Sequence, residues 1–345
     1  MLQKDGQRVT SREMIDFTPL KNWFKEVKRS FPWRENRSAY SVLVSEIMLQ
    51  QTLAEVVVPY YTKWMEKIPT LHALSKTPLE EVIKLWEGLG YYSRAKNLQK
   101  AAVEIELRFK GEVPRTYEEL ISIKGIGPYT AGAILSFAYR QKAVALDGNV
   151  QRVLTRFLGL EDDLSESKTV PKLQKILKEN LPEEEPWVVS EALIELGATV
   201  CKKKAHCAFC PLRRECQAYR LNLQDTLPKK TKKQKVEVLE RDVAVFIYGN
   251  EVLIKKQPEG KVMGGLYEFF YQEKGASLPD EFSIEEQIKL PDQKHTFTKY
   301  RVFLFPTLFK LREKPLLEGY EWVEKERLHK LPFSSGHRKI LHCFS

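Results

Sequence analysis

Four cysteines stand within sixteen residues, as Cys201-x5-Cys207-x2-Cys210-x5-Cys216. Thiolates so closely spaced are metal ligands, and the pattern lacks the dozen or more residues that usually separate the two knuckles of a structural zinc site. A compact Fe–S cube takes four such ligands from one short loop; a small zinc knuckle is the alternative. The fifth cysteine, Cys343, reads as a free, partly buried thiol. Elsewhere two acids have unlike surroundings. Glu46 lies in the apolar run Ser41 to Thr52, where burial would raise its pKa and suit it to donate a proton. A glutamate paired with an arginine, or turned to solvent, would look the same in sequence. Asp147, in Leu146-Asp147-Gly148-Asn149-Val150, falls at a turn before a helix and is by itself more often an N-cap than a catalyst. Cleavage of a glycosidic bond needs such a pair, one acid to protonate the leaving group and one to stabilise the cationic sugar.

The elements that would position these residues are mostly helices. From Leu20 to about Tyr219 apolar residues recur at helical spacing, as in Val42 to Met48, Leu79 to Trp86, Ala95 to Leu107 and Pro171 to Leu177. Thr116 and Glu119 form a capping box that opens a helix ending near Lys124. Gly125-Ile126-Gly127 then turns the chain, and Pro128 opens the next helix. Glycines at such a hairpin let the backbone approach a ligand, and the free N–H groups suit a phosphate; an ordinary αα-hairpin is the plain reading. Five lysines between Lys229 and Lys235, after Pro228, mark an exposed linker. Beyond it Asp242 to Tyr248 alternates, Gly249-Asn250 turns, and Val252 to Lys256 completes a hairpin. A further strand spans Phe297 to Phe309, Glu285-Glu286 reads as a solvated helix face, and a helix runs from about Ser335 to His342.

A chain of 345 residues with 43% hydrophobic content predicts two domains. The boundaries expected are a helical domain over 1–220, a basic linker over 221–236 and a small α/β domain over 237–345. Lys and Arg exceed Asp and Glu by 56 to 46, so the surface attracts polyanions, nucleic acid first among them. No apolar run approaches a membrane span and no apolar signal core is seen near the start, which points to the cytoplasm, or to the nucleoid if the source is bacterial.

Taken in order, Pro32-Trp33-Arg34, Ser45-Glu46-Ile47-Met48-Leu49-Gln50-Gln51-Thr52, Gly88-Leu89-Gly90-Tyr91-Tyr92-Ser93-Arg94, Gly125-Ile126-Gly127-Pro128-Tyr129-Thr130-Ala131-Gly132-Ala133, the Asp147 segment and the cysteine cluster make a specific set. The chain resembles the helix-hairpin-helix DNA glycosylases that carry a 4Fe–4S cluster, most closely the adenine DNA glycosylase (MutY) family. The resemblance implies a mostly α fold, with the helix-hairpin-helix near 116–140 and the cluster loop at 201–216, followed by a Nudix-like α/β domain. It implies removal of adenine mispaired with 8-oxoguanine or G. Glu46 would be the acid acting at N7 of the flipped base, and Asp147 the carboxylate stabilising the sugar, with Tyr129 and Asn149 assisting. Gln51 and Tyr91 would insert near the orphaned partner base, Arg34 would line the site, and Gly125 and Gly127 would meet the backbone of duplex DNA. Cys201, Cys207, Cys210 and Cys216 would hold the 4Fe–4S cluster, and the protein would act as a monomer.

Tyr129 separates this reading from its relatives of the endonuclease III type, glycosylase/lyases on damaged pyrimidines, which carry a lysine there for Schiff-base chemistry. A noncatalytic, metal-stabilised DNA-binding scaffold is the reading from a different class. Two departures from the family pattern stand out. The first gap between cysteines has five residues in place of six, and His295-Thr296-Phe297-Thr298-Lys299 stands where Phe-Ser-His is usual. Thr298 keeps a hydroxyl for the lesion, whereas Lys299 puts a flexible amine in place of an imidazole and reads equally as a phosphate contact.

Overall fold

A computed structural model describes residues 14–231, 236–260, 263–278, 282–297 and 299–344. The helices run in chain order as α1 (Thr18–Val27), α2 (Pro32–Glu35), α3 (Ala39–Leu49), α4 (Ala54–Lys67), α5 (Leu71–Lys76), α6 (Leu79–Leu85), α7 (Ser93–Phe109), α8 (Tyr117–Ser122), α9 (Pro128–Ala133), α10 (Gly148–Leu158), α11 (Thr169–Asn180), α12 (Pro186–Thr199) and α13 (Gln217–Arg220). The residues form two compact units, one of 1–50 with 107–233 and one of 51–106 with 234–345. The stretch from Gln51 to Glu106 thus joins the unit that carries the sheet.

In the first unit α1, α10, α11 and α12 enclose a core of Leu20, Phe24, Val150, Leu154, Leu173, Leu177, Val189 and Leu193. Each helix supplies residues three or four apart, which is what one face of a 3.6-residue period presents. Cys201, Cys210 and Cys216 pack on the same cluster, so the cysteine loop is seated on the core. Thr116 caps α8 by accepting from the Glu119 N–H, and the Glu119 carboxylate receives the Thr116 hydroxyl at 2.6 Å in place of the expected backbone bond. α9 opens at Pro128 with Gly127 as its N-cap and runs on into a buried π-helical turn, Ile134–Ala138.

In the second unit α4 to α7 bury Trp64 edge-on against Trp86. Its strands are β1 (Glu237–Tyr248), β2 (Glu251–Lys256), β3 (Tyr267–Glu268), β4 (Phe270–Glu273), β5 (Ile284–Lys289), β6 (Gln293–Phe297), β7 (Tyr300–Leu311) and β8 (Glu321–Glu324), followed by α14 (Lys325–Leu328) and α15 (Ser335–Leu341). β1 turns into β2 at Gly249-Asn250 as expected, and pairs in parallel with β7 from Glu237↔Tyr300 to Ile247↔Lys310. Alternation along β1 feeds two cores. Val243, Val245 and Ile247 meet Ile340 and Leu341 on one face, and Ala244 and Phe246 meet Phe282 and Phe309 on the other.

Two expectations need correction. Glu285 and Glu286 lie on β5, an edge strand antiparallel to β7 that is exposed along its whole length. Ile284 and Ile288, four apart, imitate helical spacing there, and pairing with β7 decides the outcome. Cys343 is free but exposed.

Within this unit Glu87 fastens the helices to the last segment of chain. It accepts from the Phe333 N–H at 2.9 Å and pairs with Lys84 and Arg338 at 2.7 and 2.6 Å. Among the described residues no helix is long and apolar enough to cross a membrane.

Candidate active site

Every residue of α3 from Tyr40 to Met48 is buried, and Glu46, 6% exposed, shares that environment. Its Oε2 accepts the Tyr129 hydroxyl at 2.5 Å. Burial pushes the Glu46 carboxyl up to about 7; the Tyr129 bond pulls it down, and the charges of Asp147 and Glu191 add to the rise. The Tyr129 phenol lies well above its ordinary range, again through burial and then through Glu46 and Asp147, so it stays a neutral donor. Tyr129 sits in the first turn of α9, which makes the glycine hairpin the device that aims it at Glu46. Of the two alternatives open in sequence, solvent exposure is excluded; Arg34 is close enough to act on Glu46 through its charge, but the partner in contact is a phenol.

Asp147 takes the N-cap place that the sequence allowed. As N-cap of α10 it accepts the Val150 N–H at 2.7 Å on Oδ1, while Oδ2 accepts the Asn149 amide at 2.8 Å. Burial raises its pKa and these bonds oppose the rise. Asn149 is held in turn by Arg152, whose guanidinium donates to Asn149 Oδ1 at 2.9 Å and to the carbonyls of Gly197 and Cys201, each at 2.8 Å. One turn further along α10 the buried Arg156 donates to the Lys202 carbonyl at 2.6 Å and to Cys201 Sγ at 3.4 Å. Close backbone approaches fix these elements. A Cβ on Gly132 would stand 1.9 Å from the Val144 carbonyl oxygen, and one on Gly197 2.6 Å from the Asn149 Cβ.

Sequence reasoning missed an ionic cluster beside Glu46. Glu195, 1% exposed, receives Arg29 at 2.5 Å and Arg34 at 2.8 Å, and Arg34 also donates to the Arg29 carbonyl at 2.6 Å. Glu191 pairs with Arg37 at 3.0 Å. The available signal was the spacing of Glu191 and Glu195, one turn apart in the otherwise apolar run Pro186–Thr199. Arg34, expected to line the site, is an anchored cation whose charge acts on Glu46.

Gln51 and Tyr91 are not on helices. α3 stops at Leu49, and both residues adopt left-handed backbone, with φ of 57° and 47°, a conformation that costs a non-glycine residue about 1 kcal/mol or more. Both side chains are exposed. Gly125 has φ of 100°, and no atom lies within 4 Å of where a Gly127 Cβ would stand, which leaves the hairpin open to a ligand. Thr298 lies outside the described residues. Lys299 is half-buried and pairs with Glu237 at 2.5 Å. Cys201, Cys207, Cys210 and Cys216, none in a disulfide, line one pocket together with Arg156 and Gln224. Among the described residues no three His, Cys, Asp or Glu side chains are grouped so as to hold a single metal ion.

Comparison with known proteins follows this geometry. Residues 44–182 match the HhH-GPD superfamily base excision DNA repair proteins, and residues 242–343 match the NUDIX domain. The adenine DNA glycosylase of Buchnera aphidicola subsp. Baizongia pistaciae is 35% identical over 248 residues, covering 71% of this chain and 70% of that one. The chain belongs to the adenine DNA glycosylase family. In a second relative of the same name, from Buchnera aphidicola subsp. Schizaphis graminum, the likeness runs nearly end to end, at 29% identity over 94% of this chain and 96% of that one. The human adenine DNA glycosylase is 42% identical over 58% of this chain and 38% of its own length. Among solved structures, a thermostable thymine-DNA glycosylase aligns over 59% of this chain and 94% of its own with a TM-score of 0.54 at 26% identity. A non-covalent endonuclease III–DNA complex aligns over 59% and 95% with a TM-score of 0.51 at 28% identity. The helical fold of base excision glycosylases followed by a Nudix-like sheet domain is thereby established, and with it membership of an enzyme family.

Proposed function

We propose that the protein releases adenine that faces 8-oxoguanine or guanine in duplex DNA, by hydrolysis of the N-glycosidic bond and without cutting the strand. The observation that carries this is the Tyr129–Glu46 contact at 2.5 Å. It leaves a carboxyl with a pKa of about 7 as a proton donor, and it puts a phenol where a lyase needs an amine. Glu46 gives its proton to N7 of the flipped adenine, the C1′–N9 bond breaks with its electron pair going to the base, and the Asp147 carboxylate stabilises the cationic sugar. Water adds at C1′ and its proton returns to Glu46, leaving adenine and an abasic site. Extraction of the base costs a few kcal/mol, which Gln51 and Tyr91 offset by entering the space it leaves. Gly125 and Gly127 bind the DNA backbone, and the Nudix-like domain reads the lesion through the segment around Thr298. The protein works on DNA as a monomer in the cytoplasm.

The cysteine loop fits a 4Fe–4S cluster better than zinc. One zinc ion needs every sulfur at about 2.3 Å, whereas among the described residues no three of these thiols are grouped for a single ion, and all four line one pocket, as a polynuclear group requires. When bound, the cluster supplies structural rigidity and no step of the hydrolysis. Arg156 holds the loop at Cys201 and Lys202, and Lys202 to Lys204 offer charges to phosphates.

Base release from duplexes with adenine opposite 8-oxoguanine, adenine opposite guanine, and damaged pyrimidines tests the reading. Adenine is expected in the first two, with no adduct trapped by borohydride. Preferential release of pyrimidines, or a stoichiometric trapped adduct, would overturn it. The cluster is tested separately by iron content and broad visible absorption of the isolated protein, and stoichiometric zinc would replace it.

A further inference from the structure

Arg94 is a buried cation at an unfavourable place. It is 8% exposed and sits in the first turn of α7, where the helix dipole opposes a positive charge. What surrounds it comes from two separate loops. Its Nη2 donates to Thr52 Oγ1 at 3.3 Å, in the loop after α3, and to the carbonyls of Leu89 and Gly90, each at 3.2 Å, in the loop before α7. The guanidinium also lies 5.3 Å from the Trp86 ring and 5.5 Å from the Tyr91 ring. Trp86 closes the arrangement by donating its indole N–H to the Gly90 carbonyl at 3.1 Å.

Thr52 is the neighbour of Gln51, and Gly90 the neighbour of Tyr91. Each of those two exposed residues is held in left-handed backbone, a conformation that an unanchored loop would leave. One guanidinium nitrogen reaching both loops removes that freedom for the pair together. An ammonium on a flexible stem lacks the same fixed directions.

We infer that Arg94 is the positioning residue that holds Gln51 and Tyr91 in register, so that both enter the DNA as one preassembled wedge. The inference rests on the proposed role of Gln51 and Tyr91. A wedge offsets the few kcal/mol of base extraction only when it does not first have to be ordered. Loss of Arg94 therefore impairs extraction of the base and leaves the carboxylates and the phosphate contacts intact.

The test uses the full, metal-loaded chain in a Glu46→Gln background, which keeps the base attached, and a duplex with 2-aminopurine next to the mispaired adenine. Fluorescence at saturating protein reports unstacking. Arg94→Met is expected to cut the fluorescence rise at least about threefold, with Arg94→Lys intermediate, while affinity for an undamaged duplex stays within about twofold. In the protein that retains Glu46, single-turnover release should fall about 30-fold, which corresponds to about 2 kcal/mol. An unchanged rise overturns the inference, and so does equal loss of unstacking and of binding to undamaged duplex, which marks a general structural role. Should Arg94→Met fail to fold, Thr52→Val, which removes one acceptor, is expected to give a smaller drop of the same kind, and its absence is equally decisive. Gln51→Ala and Tyr91→Ala separate the two ideas. If they leave the rise intact the wedge reading fails, and if they abolish it while the Arg94 and Thr52 variants do not, only the inference about Arg94 falls.

Discussion

Glu46 and Glu195 lie in helices apolar on nearly every side and are 6% and 1% exposed, yet they are held in opposite ways. Glu195 meets two guanidiniums, which engage both of its oxygens. Glu46 meets a phenol, which donates one hydrogen bond and brings no charge. Burial is therefore common to both and decides neither role. The partner differs, an ionic tie at Glu195 and a neutral donor at Glu46, whose pKa lies at about 7.

Four measurements bear on that contrast, in decreasing order of effect. If Glu46 is the acid, Glu46→Gln lowers single-turnover adenine release by about 10²–10⁴-fold while duplex affinity is kept; undiminished release breaks the comparison at its first member. If Glu195 is a tie, Glu195→Ala strands Arg34 and costs about 3 kcal/mol in denaturant unfolding. That value is at the low end for a buried pair, because the Arg29 side chain keeps 33% of its surface in solvent.

The third measurement concerns the stability that Glu46 forfeits. Its folded pKa of about 7 lies above the ordinary 4.5, so ionisation favours the unfolded chain. The stability of the neutral carboxyl is fully present below about pH 4.5 and is lost as pH rises through about 7. Glu46→Gln should thus stabilise the protein by about 3 kcal/mol at pH 8 and hardly at all at pH 4. Equal melting shifts at both pH values would show that burial has not raised this carboxyl. The smallest effect is on the pH profile. The Tyr129 bond lowers the Glu46 pKa, so Tyr129→Phe should move the alkaline limb of kcat/KM upward, by about one unit or less. A downward move would mean that the phenol favours the protonated acid.

Much of this site was legible in the chain because its parts are local. Glu46 stood out as a charge inside an apolar run and Asp147 as a cap at a glycine turn, whereas Tyr129 was reached only through the family resemblance, since its partner lies 83 residues away. The ties to Arg29 and Arg34 were not legible, since Glu195 meets them across 166 and 161 residues, and one sequence carries no record of such pairing. The end of α3 was hidden for a different reason. Leu49-Gln50-Gln51-Thr52 contains neither glycine nor proline to mark a stop, and the next residue after Gln51, Thr52, meets Arg94 across 42 residues. On β5 the spacing of Ile284 and Ile288 satisfied the helical template while the hydrogen-bonding partner, β7, lay well downstream.

Gly132 gives the helix-hairpin-helix a meaning beyond the grip it offers a ligand. Its missing side chain lets α9, which carries Tyr129, rest directly on the Val144 carbonyl, three residues before Asp147. Gly197 does the same for α12 against Asn149. At Gly132 the distance from Tyr129 to the Asp147 segment is thus gauged by main chain on main chain, with no side chain between them to vary. For inheritance this closes the position to drift. Even alanine there would prise the Tyr129 phenol away from the segment that carries Asp147, and if these groups act as proposed, a methyl group far smaller than any substrate would be felt as loss of repair.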